Sequence, residues 1–516
     1  MLLGSPRDAR APRERAGERA LVSAVSALGA LLCAYRLTGR SLGFDEGATA
    51  AIVAQHGGAL GAAIARDGGN MSGYYVLLHG LTGVFGNATS VLRLPSVVAA
   101  AVTAGCVCAL ASRLFDLRVA LASGVLTAVS LPLVFWGQAA RGYAPMVACV
   151  AASFLAFAVL VDRDAVGAST RWPWLAYVLC TTLAVYCGFI AVLVVPAQIV
   201  SLVVRRRAPA PVGSALVVAA VCCLPLVVLA ARRGSGQLFW APRPDLISTL
   251  QVLELLTSSG LSPSFPLTAA GIVLLCATLL VIVAALPVTR RRRRHPDPRG
   301  KWSLALVGAW LIVPVALAAL ESLVGQSIFL SRNLLMCLPA VAMTVAAALL
   351  HPRLPRSVSW LAIAAIVALR ALALGPSYGV SPEDWRAANA YVTTRSRPRD
   401  CIAFYPSDGR MAFAYYHGSS RTVPRPIIPV APWTQVRPYV ERYETLAGSQ
   451  LRRLPSQCAR VWLVWSHEGQ LRGPRISHAN YVRFVALDRA LASEFPIRHT
   501  ARFGYAAPVH VALLAR

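Results

Sequence analysis

The sequence predicts a mainly α, polytopic membrane protein of about eleven transmembrane helices followed by a small C-terminal α/β domain. Three observations predict it. Hydrophobic residues make up 56% of the 516-residue chain and mean hydropathy is +0.58. Charged residues are only 14%, where a soluble domain carries about a quarter. Apolar runs of bilayer-spanning length recur up to about residue 375, after which the composition changes. Together these exclude a soluble cytosolic enzyme and a disordered chain.

The expected spans lie near 21–39, 93–112, 119–137, 142–161, 172–187, 188–204, 212–231, 268–287, 303–323, 331–350 and 358–375. The 172–204 block counts as two spans only if it is split at Tyr186–Gly188. Residues 1–20 form a basic leader before the first apolar run, a pattern closer to a signal anchor than to a cleaved signal peptide. The net charge of +28 would normally suggest nucleic acid, but here the arginines fall between apolar runs. Connections on the N-terminal side of the membrane hold 21 basic residues against seven acidic, including Arg113, Arg163, Arg205 and the Arg290–Arg294 run. The alternate connections, counted with Arg93 and Arg332 at the span ends beside them, hold eight basic residues despite two long loops. The positive-inside rule therefore places the N-terminus in the cytoplasm and the C-terminal domain outside, across an inner (plasma) membrane. The basic run between two spans is a topology anchor, so no nucleic-acid partner is expected. A set of 49 Arg to one Lys fits a GC-rich bacterial genome.

Residues 376–516 read as an extracytoplasmic α/β domain, with strands at Cys401–Tyr405 and Val461–Trp465 and helices at Glu383–Thr393 and Tyr481–Ser493. Its basic surplus suits anionic lipid headgroups or is a solvated surface. Ten of the twelve cysteines lie in apolar spans, as small buried hydrophobes. Cys401 and Cys458, each beside a predicted strand, are a disulfide pair if the compartment is oxidising. No Cys/His spacing suggests a metal site, and no cofactor is expected.

The spans hold almost no midplane carboxylates, which argues against an ion-coupled transporter. Polar chemistry collects in the outer connections, above all residues 40–92, expected to be the catalytic loop of the 21–375 membrane domain. Asp45 and Glu46, in Gly43-Phe44-Asp45-Glu46-Gly47, point in different directions because they are adjacent. One suits a general base on an acceptor hydroxyl and the other a supporting carboxylate. Equally, the pair suits the first turn of a helix. Asn70, Tyr74, Tyr75 and His79 are substrate-binding candidates on a helix whose aromatics would lie at headgroup depth, with Ser72 as its N-cap. In the next outer turn, Arg141 can hold a phosphate through paired N–H bonds, with Tyr143 adding a hydroxyl, or can snorkel to headgroups. Arg332, at another outer span end, has the same two readings.

The order of these motifs resembles a known family. Phe44-Asp45-Glu46, Tyr74-Tyr75-Val76-Leu77-Leu78-His79, Leu92-Arg93-Leu94-Pro95-Ser96, Gln138 to Tyr143 and Ser331-Arg332-Asn333 are similar to the polytopic glycosyltransferases of the GT-C superfamily. Within it they resemble the bacterial family 39 type related to protein O-mannosyltransferases. Glu383 to Ala388 also looks like the stretch after the last span of many bacterial members. The likeness covers most of the chain and is strongest over 41–145. It implies sugar transfer from a polyprenyl-phosphate donor on the outer face, with Asp45 as base, Glu46 supporting it, and Arg141 and Arg332 on the donor phosphate. Many relatives have His-Pro-Pro where this chain has Asn70-Met71-Ser72, so no role for that His carries over.

The chemistry matches the residues. A lipid phosphate is already a good leaving group, so a base for the acceptor and cations for the departing phosphate suffice. Direct displacement inverts the anomeric centre. No Gly-rich phosphate loop or Asp-x-Asp metal motif points to a nucleotide sugar. Mannose is expected by family analogy, with arabinose-type sugars as runner-up, and a lipid, glycan or protein as acceptor. The alternative is a non-catalytic lipid flippase or envelope-assembly protein.

Overall fold

A computed structural model describes residues 12–205, 209–233, 241, 243–258, 276–278, 280–281, 298–417, 423–433, 435–436, 438–439, 445–473 and 475–516. Ten of the eleven expected spans coincide with helices. The eleventh, 268–287, and the Arg290–Arg294 run fall almost wholly outside the described residues.

The membrane part runs through α1 (Pro12–Ala34), α2 (Phe44–Val53), α3 (Gly58–Arg66), α4 (Ser72–Phe85), α5 (Thr89–Leu114), α6 (Leu117–Ala128), α7 (Leu131–Gly137), α8 (Tyr143–Ala165), α9 (Arg171–Cys187), α10 (Val194–Arg205), α11 (Ala210–Arg233), α12 (Leu246–Leu256), α13 (Pro298–Val324), α14 (Leu338–Leu349) and α15 (Arg356–Ser377). Among the described residues seven helices are long and apolar enough to cross a membrane. They become eight if α6 and α7 form one span, bent by 55°. Pro132, in the first turn of α7, explains the bend: it cannot donate the hydrogen bond that would continue α6. The 172–187 run is a helix of 17 residues, and the 188–204 run breaks into a 3-10 turn and α10.

Helix α8 is the hub, buried along most of its length between α5 and α9. By contrast α11 exposes Val217, Val221, Leu224 and Val228, spaced to share one face, as a lipid-facing helix should. At the end of the bundle away from residues 40–92, Asp162 receives both Arg113 and Arg205 at 3.0 Å, joining the last turns of α5, α8 and α10. Two of the arginines assigned to topology are thus also structural.

The C-terminal part comprises α16 (Trp385–Arg395), β1 (Asp400–Tyr405), α17 (Gly409–His417), β2 (Arg425–Ile428), α18 (Gly448–Gln457), β3 (Arg460–Trp465), α19 (Arg475–Glu494), β4 (Ile497–Phe503) and β5 (Val509–Ala515). Its sheet has the order β2-β1-β3-β5-β4. Strand β1 pairs in parallel with β2 and β3, while β5 runs antiparallel to β3 and β4. Strands β1 and β3 are buried along almost their whole length, as parallel strands covered by helices must be, while the edge strand β2 buries only Ile427 and Ile428. Cys401 and Cys458 form a disulfide that ties the start of β1 to the end of α18.

Candidate active site

Helix α17, which follows β1, and His467, which follows β3, lie against α2, so the two parts of the chain meet at the acidic pair. Gly47 permits the approach. A methyl group there would lie 2.5 Å from the Ala412 Cα on α17, and backbone cannot give way as a flexible side chain can. Gly47→Ala is therefore expected to lower stability by about 1–3 kcal/mol, read as a lower unfolding temperature in detergent.

Helix α2 begins at Phe44. Asp45 and Glu46 stand in its first turn, as the helix reading expected, and they have different partners. Glu46 turns inward. It accepts Arg93 Nε and Nη2 at 2.9 and 3.0 Å, Ala140 N–H at 2.7 Å and Gly43 N–H at 3.1 Å. Burial alone would raise its pKa, but the Arg93 charge outweighs this and holds the carboxyl below the usual glutamate range. With no lone pair left for a substrate, Glu46 is placed as a structural carboxylate rather than a catalytic one. Arg93 also donates to the carbonyls of Leu37, Arg40 and Ser41. One buried guanidinium thus ties α5, the end of the first span and α2 together.

Asp45 turns outward, its side chain 40% exposed. Its Oδ2 lies 3.4 Å from Arg332 Nη1 and 3.9 Å from Arg141 Nη2. Arg332 sits with its guanidinium 5.9 Å from the centre of the Tyr143 ring, which packs on Trp136. The fold thus gathers Asp45, Arg141, Tyr143 and Arg332, from three separate stretches, into one cluster.

Arg141 is buried and oriented by its neighbours. Its Nη1 donates to Tyr75 Oη at 3.2 Å, Thr49 Oγ1 at 3.3 Å and the Asp45 carbonyl at 3.4 Å, while Nε has no partner among the described residues. Burial opposes its charge, but Tyr75 and Asp45 more than offset that and hold its pKa above the ordinary arginine range. It is a fixed cation, not a side chain snorkelling to headgroups.

Three expectations for the 70–79 helix are corrected. Tyr74 and Tyr75 are fully buried rather than at headgroup depth. The Tyr74 hydroxyl donates to the Leu92 carbonyl, and Tyr75 links Asp67 Oδ2, 2.9 Å away, to Arg141. Burying a phenol requires such partners, and a neighbouring helix supplies them better than water. His79 donates from Nδ1 to the Val53 carbonyl and packs on His56. Val53 ends α2, about 12 Å along the helix from Asp45, so His79 stands outside the cluster. Asn70 Oδ1 accepts the Phe189 N–H and likewise braces the fold. Ser72 is not the N-cap. That position is Met71, left-handed at φ 60° after Gly68 and Gly69, and the Ser72 hydroxyl is buried without a partner among the described residues.

The sequence reading gave no role to Arg93, Thr49, Asp67 or Tyr439. Tyr439, from the C-terminal part, lies within electrostatic reach of Asp45, Asp67 and Arg141, and burial foremost raises its pKa. Arg93 stood in a quoted motif, but its partner is 47 residues away in sequence. Among the described residues no three His, Cys, Asp or Glu side chains are arranged to hold a metal ion.

The family described as dolichyl-phosphate-mannose-protein mannosyltransferase matches residues 73–229, from the 70–79 helix through the Arg141 turn to the end of α11. The whole fold is similar to ArnT from Cupriavidus metallidurans, with a TM-score of 0.56 at 14% identity, over 97% of this chain and 98% of that one. The chain thus shares the ArnT fold over nearly its whole length, and one stretch of it matches the mannosyltransferase family. A second ArnT structure, bound to undecaprenyl phosphate, matches this chain with a TM-score of 0.54 at 13% identity, over 95% and 97%. The oligosaccharyltransferase of Archaeoglobus fulgidus, tethered with an acceptor peptide, matches with 0.50 at 12%, over 95% of this chain and 74% of that one. No curated protein matches the sequence.

Proposed function

We propose that this glycosyltransferase moves a sugar from a polyprenyl-phosphate donor to a hydroxyl acceptor on the outer face of the inner membrane, with inversion. The observation that carries the reading is an exposed carboxylate, Asp45, flanked by Arg332 and Arg141 in a GT-C fold. The acceptor oxygen attacks the anomeric carbon as Asp45 takes its proton. The bond from that carbon to the phosphate oxygen breaks, and the electron pair leaves with the lipid phosphate. Arg332 and Arg141 meet the charge gathering there, and Tyr143 shapes the wall behind Arg332. No metal is assigned to the site.

The undecaprenyl phosphate bound by ArnT supports a polyprenyl-phosphate donor. The matching family's description supports mannose over an arabinose-type sugar. The arginine bias of the connections supports a cytoplasmic N-terminus and an extracytoplasmic C-terminal domain. Acceptors of lipid, glycan or peptide kind all present the hydroxyl this site needs.

The test is incubation of purified protein with a panel of polyprenyl-phosphate sugars and membrane extract, followed by mass spectrometry of the product. Transfer from one of them is expected; transfer from none overturns the reading. Arg332→Ala should then raise the donor KM about tenfold with unchanged thermal stability, since its side chain is partly exposed. Arg141→Ala should weaken donor binding and also destabilise, because Tyr75 and Thr49 lose a buried partner. Wild-type donor affinity in both variants would remove the arginines from the donor site.

A further inference from the structure

We propose that Glu383, in the C-terminal α/β domain, is a positioning residue that sets the place of Asp45 through the Phe44 amide. The inference rests on Asp45 being the base, and it makes the α/β domain part of the active site rather than an appended module.

Four consecutive backbone N–H groups lead into the base, and each ends on a side chain. Ser41 N–H goes to Ser381 Oγ at 2.8 Å, and Leu42 N–H to the Tyr416 hydroxyl at 2.6 Å. Gly43 N–H goes to Glu46 Oε2 at 3.1 Å, and Phe44 N–H to Glu383 Oε2 at 2.5 Å. Three of the four acceptors belong to the C-terminal domain. The first N–H groups of a helix have no partner within it, so an outside acceptor decides where the first turn sits. Here the last such acceptor before Asp45 is Glu383.

Glu383 is itself held. The same oxygen takes Trp385 Nε1 at 3.1 Å, and Oε1 lies 3.4 Å from His467 Nε2. Trp385 is fully buried, and His467 sits just past β3 in the left-handed region at φ 61°, a conformation that costs a non-glycine residue energy. The Phe44 ring lies between them, 5.2 Å from His467 and 6.4 Å from Trp385. Arg386, one turn on, donates to the carbonyls of Thr38 and Arg40 and fixes the same approach. A carboxylate braced on the rigid sheet domain and bonded to the residue before the base controls the base to a fraction of an ångström. Displacements of about 1 Å at that point lower turnover roughly a hundredfold.

The experiment separates this bond from general packing. Phe44 is the first residue of α2, and Gly43 before it is extended at φ −76°, ψ 176°. Proline is compatible with both positions, so Phe44→Pro deletes the N–H without breaking the helix, and Phe44→Ala keeps it while removing the same ring. Glu383→Ala should lower kcat about 10- to 100-fold with the donor KM within twofold. Glu383→Gln, whose amide oxygen still accepts, should keep at least a third of the wild-type kcat. On the Phe44→Ala background Glu383→Ala should repeat its full loss. On Phe44→Pro it should add less than threefold, because the bond is already gone. An equal loss on both backgrounds overturns the proposal.

Deuterium uptake of a peptide covering residues 42–48 gives a readout that needs no activity. It should quicken in Glu383→Ala and not in Glu383→Gln; unchanged uptake in Glu383→Ala also overturns the proposal. If the wild-type protein transfers no sugar, the functional reading fails, and uptake alone still decides whether Glu383 holds the Asp45 turn.

Discussion

Asp45→Asn is expected to lower kcat for sugar transfer by roughly 10²- to 10⁴-fold, the contribution of a positioned general base. Asparagine has nearly the same shape but lacks the charge and the proton affinity, and offers an NH2 donor in place of one carboxylate oxygen. Folding should survive. The side chain is 40% exposed, and its contacts with Arg332 and Arg141 are 3.4 and 3.9 Å long. Exposed pairs of this kind contribute about 0–1 kcal/mol, and the favourable placement of an anion in the first turn of α2 adds a few tenths. Donor binding should not weaken either, because removing a negative charge beside two arginines makes the site more attractive to a phosphate. The expected pattern is thus a collapsed kcat with an unchanged or lower donor KM, measured by mass-spectrometric turnover at matched protein amounts. A non-catalytic flippase or assembly protein would show no effect. Wild-type turnover in Asp45→Asn would remove the base from the mechanism.

The spans were legible because bilayer thickness fixes how long an apolar run must be. That criterion sums composition and ignores geometry, so 119–137 reads as one span although Pro132 bends it by 55°. Asp45 and Glu46 were separable in role because adjacent residues on a helix point about 100° apart. Which of them would find a buried cation was not legible, because Arg93 reaches Glu46 only when α2 folds back against α5. Tyr74 and Tyr75 misled for a related reason. An aromatic pair on a short helix at a membrane surface fits a headgroup belt and a packed interior equally well. Only the partners Leu92, Asp67 and Arg141, none of them adjacent in sequence, decide between the two. Glu383 stood in a motif that resembled other members, yet its bond to Phe44 crosses 339 positions. Local pattern names the residues with chemistry; tertiary closure gives them partners.

That closure rests most heavily on Arg93 and Glu46, and breaking it should have the largest effect on stability. Arg93 is 1% exposed and makes two bonds to Glu46 and three to the carbonyls of residues 37, 40 and 41. Arg93→Ala leaves a buried carboxylate facing a cavity and takes the Arg93 donor from the Leu37 and Ser41 carbonyls, while Arg40 keeps Arg386, and is expected to destabilise by about 3–5 kcal/mol. Glu46→Gln leaves the guanidinium uncompensated and should cost somewhat less, since the amide oxygen still accepts one bond. The double variant Glu46→Gln/Arg93→Met should be less unstable than the two single losses added together, because the uncompensated charges go together. Unfolding of a polytopic protein in detergent is compared as a rate at fixed temperature. The pH dependence follows from the same pair. Folding holds the Glu46 carboxyl below its ordinary value of 4.5. The stability it contributes is therefore fully present above that value and is lost as pH falls through the lower, folded one. Wild-type protein should unfold faster as pH drops below 4.5, and Glu46→Gln should lack that part of the acceleration. Arg93→Ala unfolding at the wild-type rate would show that the pair does not hold the loop. Asp45 would then have to be placed by the C-terminal domain alone.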